Sequence, residues 1–585
     1  MRPVIYQLFV RHFSNVKKGG VPWGSKEENG CGTFAGVNDA ALRALAEMGV
    51  THLWLTGVLR HATQTDYSAV GLPADPAAVV KGKAGSPYAV TDYFDLDPDL
   101  AENPAERKAE FVALLERCRR HGLIPLMDFI PNHVSRTYAS RVRPDCSFGA
   151  LDNRRVFFAR NNSFYYLAPH DSDRELLLPD GAFEPERGCG RVTGNNAATW
   201  TPTAHDWYET VKLNYGCDYT HGPHAAAELP GLAAREEAVP RTWLLMDAVL
   251  AYWQELGVGG FRCDMAHLVP PAFWRWAIPR ARLRDEGALF LAEAYNDHLS
   301  LCSGDVHREL LAAGFNGIYD SPAYDTLRAI IGGTRWANDL DRHHHAESRN
   351  FYHGVRYIEN HDEQRLPRWE GGAAPYAALC AAQFATSAGP VLVYNGQEVG
   401  EAADGAAGFG GDNGRTSIFD YTTLPHLQHW ANGGRYDGAL MTEKEGALRD
   451  FTCRLLPLLQ HPALASGSFY GLNWANRATE GFGRAAGETV SGHRLYAFLR
   501  HARKARATVL VLCNFSAAES YTTSLHIPLH AQEWAGKKPT PTKEFSFLNL
   551  LNPEAEPLCA TSAELASSGL TLTVPAGGAL VLEWV

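Results

Sequence analysis

Three stretches of this chain repeat one arrangement: an amphipathic helix, a glycine, then a short apolar run. They are "ALRALAEMGVTHLWL" (41–55), "FVALLERCRRHGLIPLMDFI" (111–130) and "WLLMDAVLAYWQELGVGGFRCD" (243–264). In the second, Phe111, Leu114, Leu115 and Cys118 fall on one helical face. Gly49, Gly122 and Gly257 stand where a helix C-terminus favours the left-handed backbone conformation. The runs after them are apolar, as parallel strands buried on both faces should be. Repeated units of this kind confine the chain to an α/β barrel or a doubly wound sheet. Further strand candidates at 4–10, 288–295, 314–320, 355–360 and 389–396 bring the count to eight. Eight is the number of a closed (β/α)8 TIM barrel. No G-x-G-x-x-G follows the first strand, which removes the main argument for a dinucleotide fold.

Two regions break the pattern. Between His133 and the helix near Trp243 lie about a hundred residues rich in Gly, Pro, Asn and Asp, too long for a plain connection and therefore an inserted subdomain. After about residue 460, runs such as "HRLYAFLRH" and "ATVLVLCNFS" alternate with Gly/Pro/Ser turns, which predicts a C-terminal antiparallel β-sandwich. The expected division is a barrel over 1–133 and 222–460, an insertion over 134–221 after strand 3, and a β-sandwich domain over 461–585.

Composition narrows the partners. A net charge of -11 argues against nucleic acid and against an anionic membrane surface. The start, "MRPVIYQLFV", has no signal-peptide pattern, and no run reaches the length of a membrane helix. Eleven cysteines without a C-x-x-C pair do not describe a disulfide framework. The expectation is a soluble, cytoplasmic protein.

Chemistry gathers at the predicted strand ends. In "GFRCD", Arg262 and Asp264 stand two apart and so face the same side. Glu293 ends the fifth strand, Asp362 and His361 follow the seventh, and Asp128, Asn132 and His133 end the third. All reach the C-terminal mouth, where barrels of this kind build their sites. Like charges crowded together raise one another's pKa, a cost that a site moving protons can use. Paired carboxylates near a polyol suit glycoside hydrolysis, one attacking the anomeric carbon and one protonating the leaving oxygen. Arg262 would then keep Asp264 ionised and oriented as nucleophile.

The motifs "DFIPNH" (128–133), "GFRCD" (260–264), "AEAY" (292–295) and "ENHD" (359–362) together resemble those of the α-amylase family, glycoside hydrolase family 13, in the same order and over nearly the whole chain. The resemblance implies that Asp264 is the nucleophile, Glu293 the general acid/base and Asp362 the residue that holds sugar hydroxyls. It places Arg262, His133, His361 and Asp128 around the sugar, and makes Tyr88 the tyrosine that stacks on it. Most relatives follow the nucleophile with a Lys-His pair on the acceptor side; His267 and Leu268 hold those places here. The segment "VKLNY" (211–215) looks closer to the cyclomaltodextrinase and neopullulanase version of a specificity signature. The implied activity is retaining hydrolysis of α-1,4-glucosidic bonds in starch-type glucans, malto-oligosaccharides or cyclodextrins. The alternative is an α-glucan transglycosylase of the 4-α-glucanotransferase or maltosyltransferase type, using the same residues.

Secondary signals complete the reading. No cofactor is required. The resemblance allows a structural calcium with Asn132 as a ligand, although Asp145, Asp171, Asp173 and Asp180 form no recognisable pattern. His343, His344 and His345 read as a solvated loop rather than a metal site. Trp200, Trp207 and Tyr215 are candidate stacking residues, with a core role for Trp207 at least as well supported. Gly85 occupies the place where exo-acting relatives carry an aspartate, which counts against strict exo-specificity.

Overall fold

The computed structural model describes residues 1–167, 173–231, 233–341, 352–406 and 408–585. Eight parallel strands form the barrel: β1 (Val4–Phe9), β2 (His52–Thr56), β3 (Ile124–Phe129), β4 (Gly260–Cys263), β5 (Leu289–Ala292), β6 (Gly317–Tyr319), β7 (Gly354–Val355) and β8 (Val391–Tyr394). Neighbours follow chain order, and β1 pairs with β8. The seam between β7 and β8 closes one residue past the short β7 ladder. There the Arg356 N–H donates to the Pro390 carbonyl (2.9 Å) and the Leu392 N–H to the Arg356 carbonyl (2.8 Å).

Helices α1 (Asp39–Glu47), α2 (Arg107–Arg120) and α3 (Arg241–Leu256) lead into β2, β3 and β4. The glycines after them have φ of +98°, +72° and +104°. At Gly257 the φ of +104° is one that L side chains rarely adopt, and the carbonyl accepts from Arg119 Nη2 (2.6 Å). The sixth and seventh strands are shorter than the sequence suggests. Tyr357 and Ile358 are fully buried yet lie outside the β7 ladder, and the Tyr357 carbonyl accepts instead from the Gln383 amide (2.9 Å). An apolar run reports burial, and burial does not require a strand partner.

The insertion is pinned at its base. His133–Ser135 pairs antiparallel with Thr210–Lys212, which holds both ends over the C-terminal mouth of the barrel. It has its own apolar cluster, with Tyr165, Leu167, Phe183, Val192 and Tyr208 packed on Val79 and Val80 from the segment after β2. Trp200 belongs to this cluster, and Tyr215 is buried in the main core with its hydroxyl on the Pro131 carbonyl (2.8 Å). Both are packing residues rather than sugar platforms. The indole and phenol fill apolar space that the insertion must close.

Beyond the barrel, an antiparallel six-stranded sheet runs in the spatial order Ser468–Gly471, Leu495–Ala502, Ala507–Asn514, Ala579–Trp584, Glu544–Asn549 and Leu558–Thr561. The pair Tyr521–Leu525 and Leu570–Val574 covers it, and the two layers share a core that includes Leu499, Leu510, Phe547 and Leu572. This is the β-sandwich that the sequence predicts. All eleven cysteines are unpaired thiols. Among the described residues, no helix is long and apolar enough to cross a membrane.

Arg500 of the sandwich fastens it to the barrel. Its fully buried guanidinium donates to the Ser387 (2.6 Å), Ala385, Leu464 (3.2 Å) and Gly467 (2.7 Å) carbonyls, capping the C-terminal end of α4 (Tyr376–Ala385). Arg500→Met would remove this donor from all four carbonyls in a dry interface, where the Leu464 carbonyl keeps a longer bond from Arg2 Nη1 (3.4 Å). It is expected to lower the unfolding free energy by about 3 kcal/mol. Urea denaturation checks this, and a midpoint equal to that of the parent would remove the anchoring role.

Candidate active site

The barrel mouth holds a cavity of about 330 Å³ lined by Tyr88, His133, Asp264, Glu293, His361 and Asp362, among others. Six residues read from the sequence therefore meet in one space. Asp264 follows β4 directly, with its backbone N–H on the Phe129 carbonyl (2.9 Å). Glu293 follows β5, with its N–H on the Cys263 carbonyl (3.0 Å). Parallel pairing of β4 with β5 thus sets the two carboxylates side by side.

Arg262 lies beneath them, fully buried. Nη1 donates to Asp264 Oδ1 (2.7 Å) and stands 3.7 Å from Asp128 Oδ1. Nη2 lies 2.7 Å from Glu293 Oε2, an ion-pair contact rather than an aligned hydrogen bond. The guanidinium sits among the Trp54, Tyr88 and Tyr319 rings, with centroids 5.2 to 5.6 Å away. Asp264 Oδ1 is therefore committed, while Oδ2 is buried without a hydrogen-bond partner. Glu293 Oε2 also accepts from the Met265 N–H (3.0 Å), and Oε1 from the Tyr295 hydroxyl (3.2 Å). Met265 adopts the left-handed conformation (φ +44°), strain of a kind that concentrates at functional sites.

Burial sets the proton chemistry. It raises the Asp264 carboxyl to about 6 against the opposing pull of Arg262. It raises Glu293 to about 7, also against Arg262, with the Asp264 and Asp362 charges adding to the rise. The pair therefore releases its protons in two steps, with Glu293 the later. Burial lowers His133 to about 3 and His361 to about 4, so both imidazoles are neutral near pH 7. The Gln7 amide donates to His361 Nδ1 (2.8 Å), which leaves Nε2 as the protonated nitrogen facing Asp362 Oδ2 (3.1 Å) and the Tyr88 hydroxyl (2.7 Å). Tyr88 stacks on that imidazole with ring centroids 5.2 Å apart.

Other expected site residues stand behind the cavity. Asp128 is buried and accepts from the Gly57 N–H (3.3 Å) and the Tyr88 hydroxyl (3.4 Å), and burial pushes it up to about 6. His267 is fully buried with Nε2 3.0 Å from Asp297 Oδ2, so it supports the wall rather than reaching a ligand. Gly85 is dictated by its surroundings: φ is +82°, and a Cβ would meet the Ala62 carbonyl oxygen at 1.7 Å. Trp207 does line the cavity, beside His133. Sequence reasoning missed Lys81, Glu209, Ile418 and Phe419, which also line it. Ile418 and Phe419 lie past the end of β8, a position that the barrel rule could have flagged.

The Asn132 amide is engaged within the chain at both its atoms. Its Oδ1 accepts from Lys212 Nζ (2.8 Å), and its Nδ2 donates to the Gly194 carbonyl (2.8 Å). Lys212 Nζ thus occupies the position from which Asn132 would bind a cation. Asp145 is exposed and paired with Arg143, and Asp173 and Asp180 are exposed. Asp171 and His343, His344 and His345 lie outside the described residues. If Asn132 holds Lys212 in place of calcium, as we propose, a calcium chelator in excess is expected to move the melting temperature by less than about 1 °C. A fall of several degrees, restored by added calcium, would contradict this.

Comparison with known proteins agrees with this architecture. The model of the α-amylase catalytic domain matches residues 7–298. An α-amylase of Haloarcula japonica is 26% identical over 413 residues, covering 68% of this chain and 44% of the relative. A cyclomaltodextrinase of Thermoanaerobacter pseudethanolicus is 21% identical over 416 residues, covering 68% and 58%. The chain spans about half the length of the curated relatives it matches. The crystal structure of an α-amylase from Lactobacillus plantarum shares the fold with a TM-score of 0.60 at 20% identity, over 100% of this chain and 99% of that one. With the family's model spanning the strands that carry Asp264 and Glu293, and its fold shared from end to end, the chain belongs to the α-amylase family of glycoside hydrolases.

Proposed function

We propose that the chain is a retaining hydrolase of α-1,4-glucosidic bonds in malto-oligosaccharides and related glucans. One observation carries the reading: a single buried guanidinium spans two carboxyl groups of residues that line the cavity, fixing one oxygen of Asp264 and leaving the other without a hydrogen-bond partner. A bridge of that reach suits the short separation, about 5 Å, of a nucleophile and acid/base pair in retaining enzymes. Asp264 Oδ2 attacks the anomeric carbon as Glu293 gives its proton to the glycosidic oxygen, which leaves with the bonding pair. The product is a glycosyl ester on Asp264 and an ionised Glu293. Glu293 then takes a proton from water, whose oxygen attacks the same carbon, and the ester bond breaks to restore Asp264. In this reading Asp362, whose carboxylate lies 3.1 Å from His361 Nε2, binds ring hydroxyls.

Asp264→Asn is expected to fold normally and to lose about four orders of magnitude in kcat, as removal of a nucleophile implies. Retention of a tenth of the parental rate would end the assignment. The pH profile follows from the two carboxyls. Asp264 must be ionised, so kcat/KM falls as pH drops through about 6; Glu293 must be protonated, so it falls as pH rises through about 7. With α-glucosyl fluoride, whose leaving group needs no proton, Glu293→Gln should keep more activity than with maltoheptaose and lose the alkaline limb. A maltoheptaose digest tests the reaction itself. Shorter products alone mean hydrolysis, and products longer than the substrate would assign transfer instead.

A further inference from the structure

Two helices that follow β8, away from the barrel mouth, bring two imidazoles onto one carboxylate. Helix α5 (Pro425–Ala431) carries His426 and His429, three residues apart and therefore on one face. Helix α6 (Glu443–Leu458) carries Glu445 in its first turn. His426 Nδ1 lies 2.5 Å from Glu445 Oε1, and His429 Nδ1 lies 2.9 Å from the same oxygen and 3.2 Å from Oε2. Glu445 Oε2 accepts the Thr442 backbone N–H (2.7 Å) in a capping box, which fixes the carboxylate and turns Oε1 toward the imidazoles. Its side chain is 4% exposed, whereas those of His426 and His429 are 39% and 41% exposed. Among the described residues, no lysine or arginine pairs with Glu445, so no fixed cation answers this buried carboxylate.

The arrangement does not depend on the imidazoles for its position. Leu427 and Trp430 of α5 are buried in the main core, and the Trp430 ring lies under the Arg449 guanidinium of α6 at 4.2 Å. Buried Glu401 accepts the N–H groups of His426 (3.1 Å) and Leu427 (3.2 Å), which holds the start of α5. The histidines therefore lie on the outer side of a helix already fixed by its inner side. His426 also borders a cavity of about 190 Å³, which gives an ion a path to the three donor atoms.

We propose that His426, His429 and Glu445 bind a divalent transition cation of the zinc class through the two Nδ1 atoms and Oε1, with water in the remaining position. The three atoms lie within 4.8 Å of one another. Ligands of a tetrahedral ion, each about 2.1 Å from it, stand roughly 3.4 Å apart. The Nδ1–Oε1 spacings must therefore open by less than about 1 Å, which half-exposed imidazoles allow. On binding, an Nδ1 proton that bonds Glu445 moves to Nε2 of the same ring, so each imidazole turns a lone pair to the metal and releases no net proton. Two imidazole nitrogens and a carboxylate suit a borderline cation, whereas calcium takes six to eight oxygens. The ion would clip α5 to α6.

Zinc chloride titrated by calorimetry into the full chain, freed of transition metal by dialysis against a chelator, tests the site. One equivalent is expected to bind with a Kd of about 1 µM or tighter. The double variant His426→Ala with His429→Ala, altered only on the outer side of α5, should bind at least about 100-fold more weakly. Glu445→Gln keeps the capping box, because glutamine also reaches back to the Thr442 N–H, and should weaken zinc at least about tenfold. Excess zinc should raise the melting temperature of the parent by about 2 °C or more and leave the double variant unmoved. Cobalt(II) should give the parent, and not the double variant, the strong visible absorption of a four-coordinate site. Calcium at the same concentration should produce none of these changes. The calcium-chelator melt is made on protein already freed of transition metal, which keeps the two ions apart. Equal zinc binding by parent and double variant would mean an adventitious ion only and overturn the site, as would a parent that binds no zinc.

Discussion

A fully desolvated guanidinium is tolerable only where fixed negative charge surrounds it, and Arg262 obtains that charge from three separate strands. Asp128 ends β3, Asp264 follows β4 and Glu293 follows β5. The dependence runs both ways. Three carboxylates at the same depth, without the arginine, would have to bind protons to stay there. Aromatic rings around the guanidinium exclude water and hold it in one plane, so the carboxylate positions are set before any ligand arrives. The barrel supplies the register, and the insertion roofs the assembly from above.

The parts that were legible in the sequence are those written in local patterns. Helix, glycine and apolar strand recur with a period that physics makes hard to misread, and an R-x-D at a strand end must face one way. Asp264, Glu293 and Asp362 were legible because strand ends in a barrel converge whatever lies between them. Lys81 and Glu209 were not, because they sit in irregular segments far apart in sequence and meet only through the packing of Val79, Val80 and Tyr208. Trp200 and Tyr215 misled for a related reason. An aromatic residue in a loop looks the same in sequence whether it faces a ligand or closes a small core. The same limit applies to His267, whose burial against Asp297 no local pattern announces.

The joint between barrel and insertion shows how a charge can be bound without an ion. Lys212 projects from the insertion's last strand onto Asn132 at the end of β3, and burial lowers its ammonium to about 7 from an ordinary value of 10.5. Being part of the chain, this cation cannot dissociate or be competed away. What it exchanges with solvent is a proton. Between about pH 7 and 10.5 the unfolded chain holds a proton at this residue that the folded chain has given up, so this group's contribution to stability rises with pH across that window. The neutral amine still has N–H groups to offer Asn132. The insertion is thus held to the barrel by a contact indifferent to metal supply and eased by alkali.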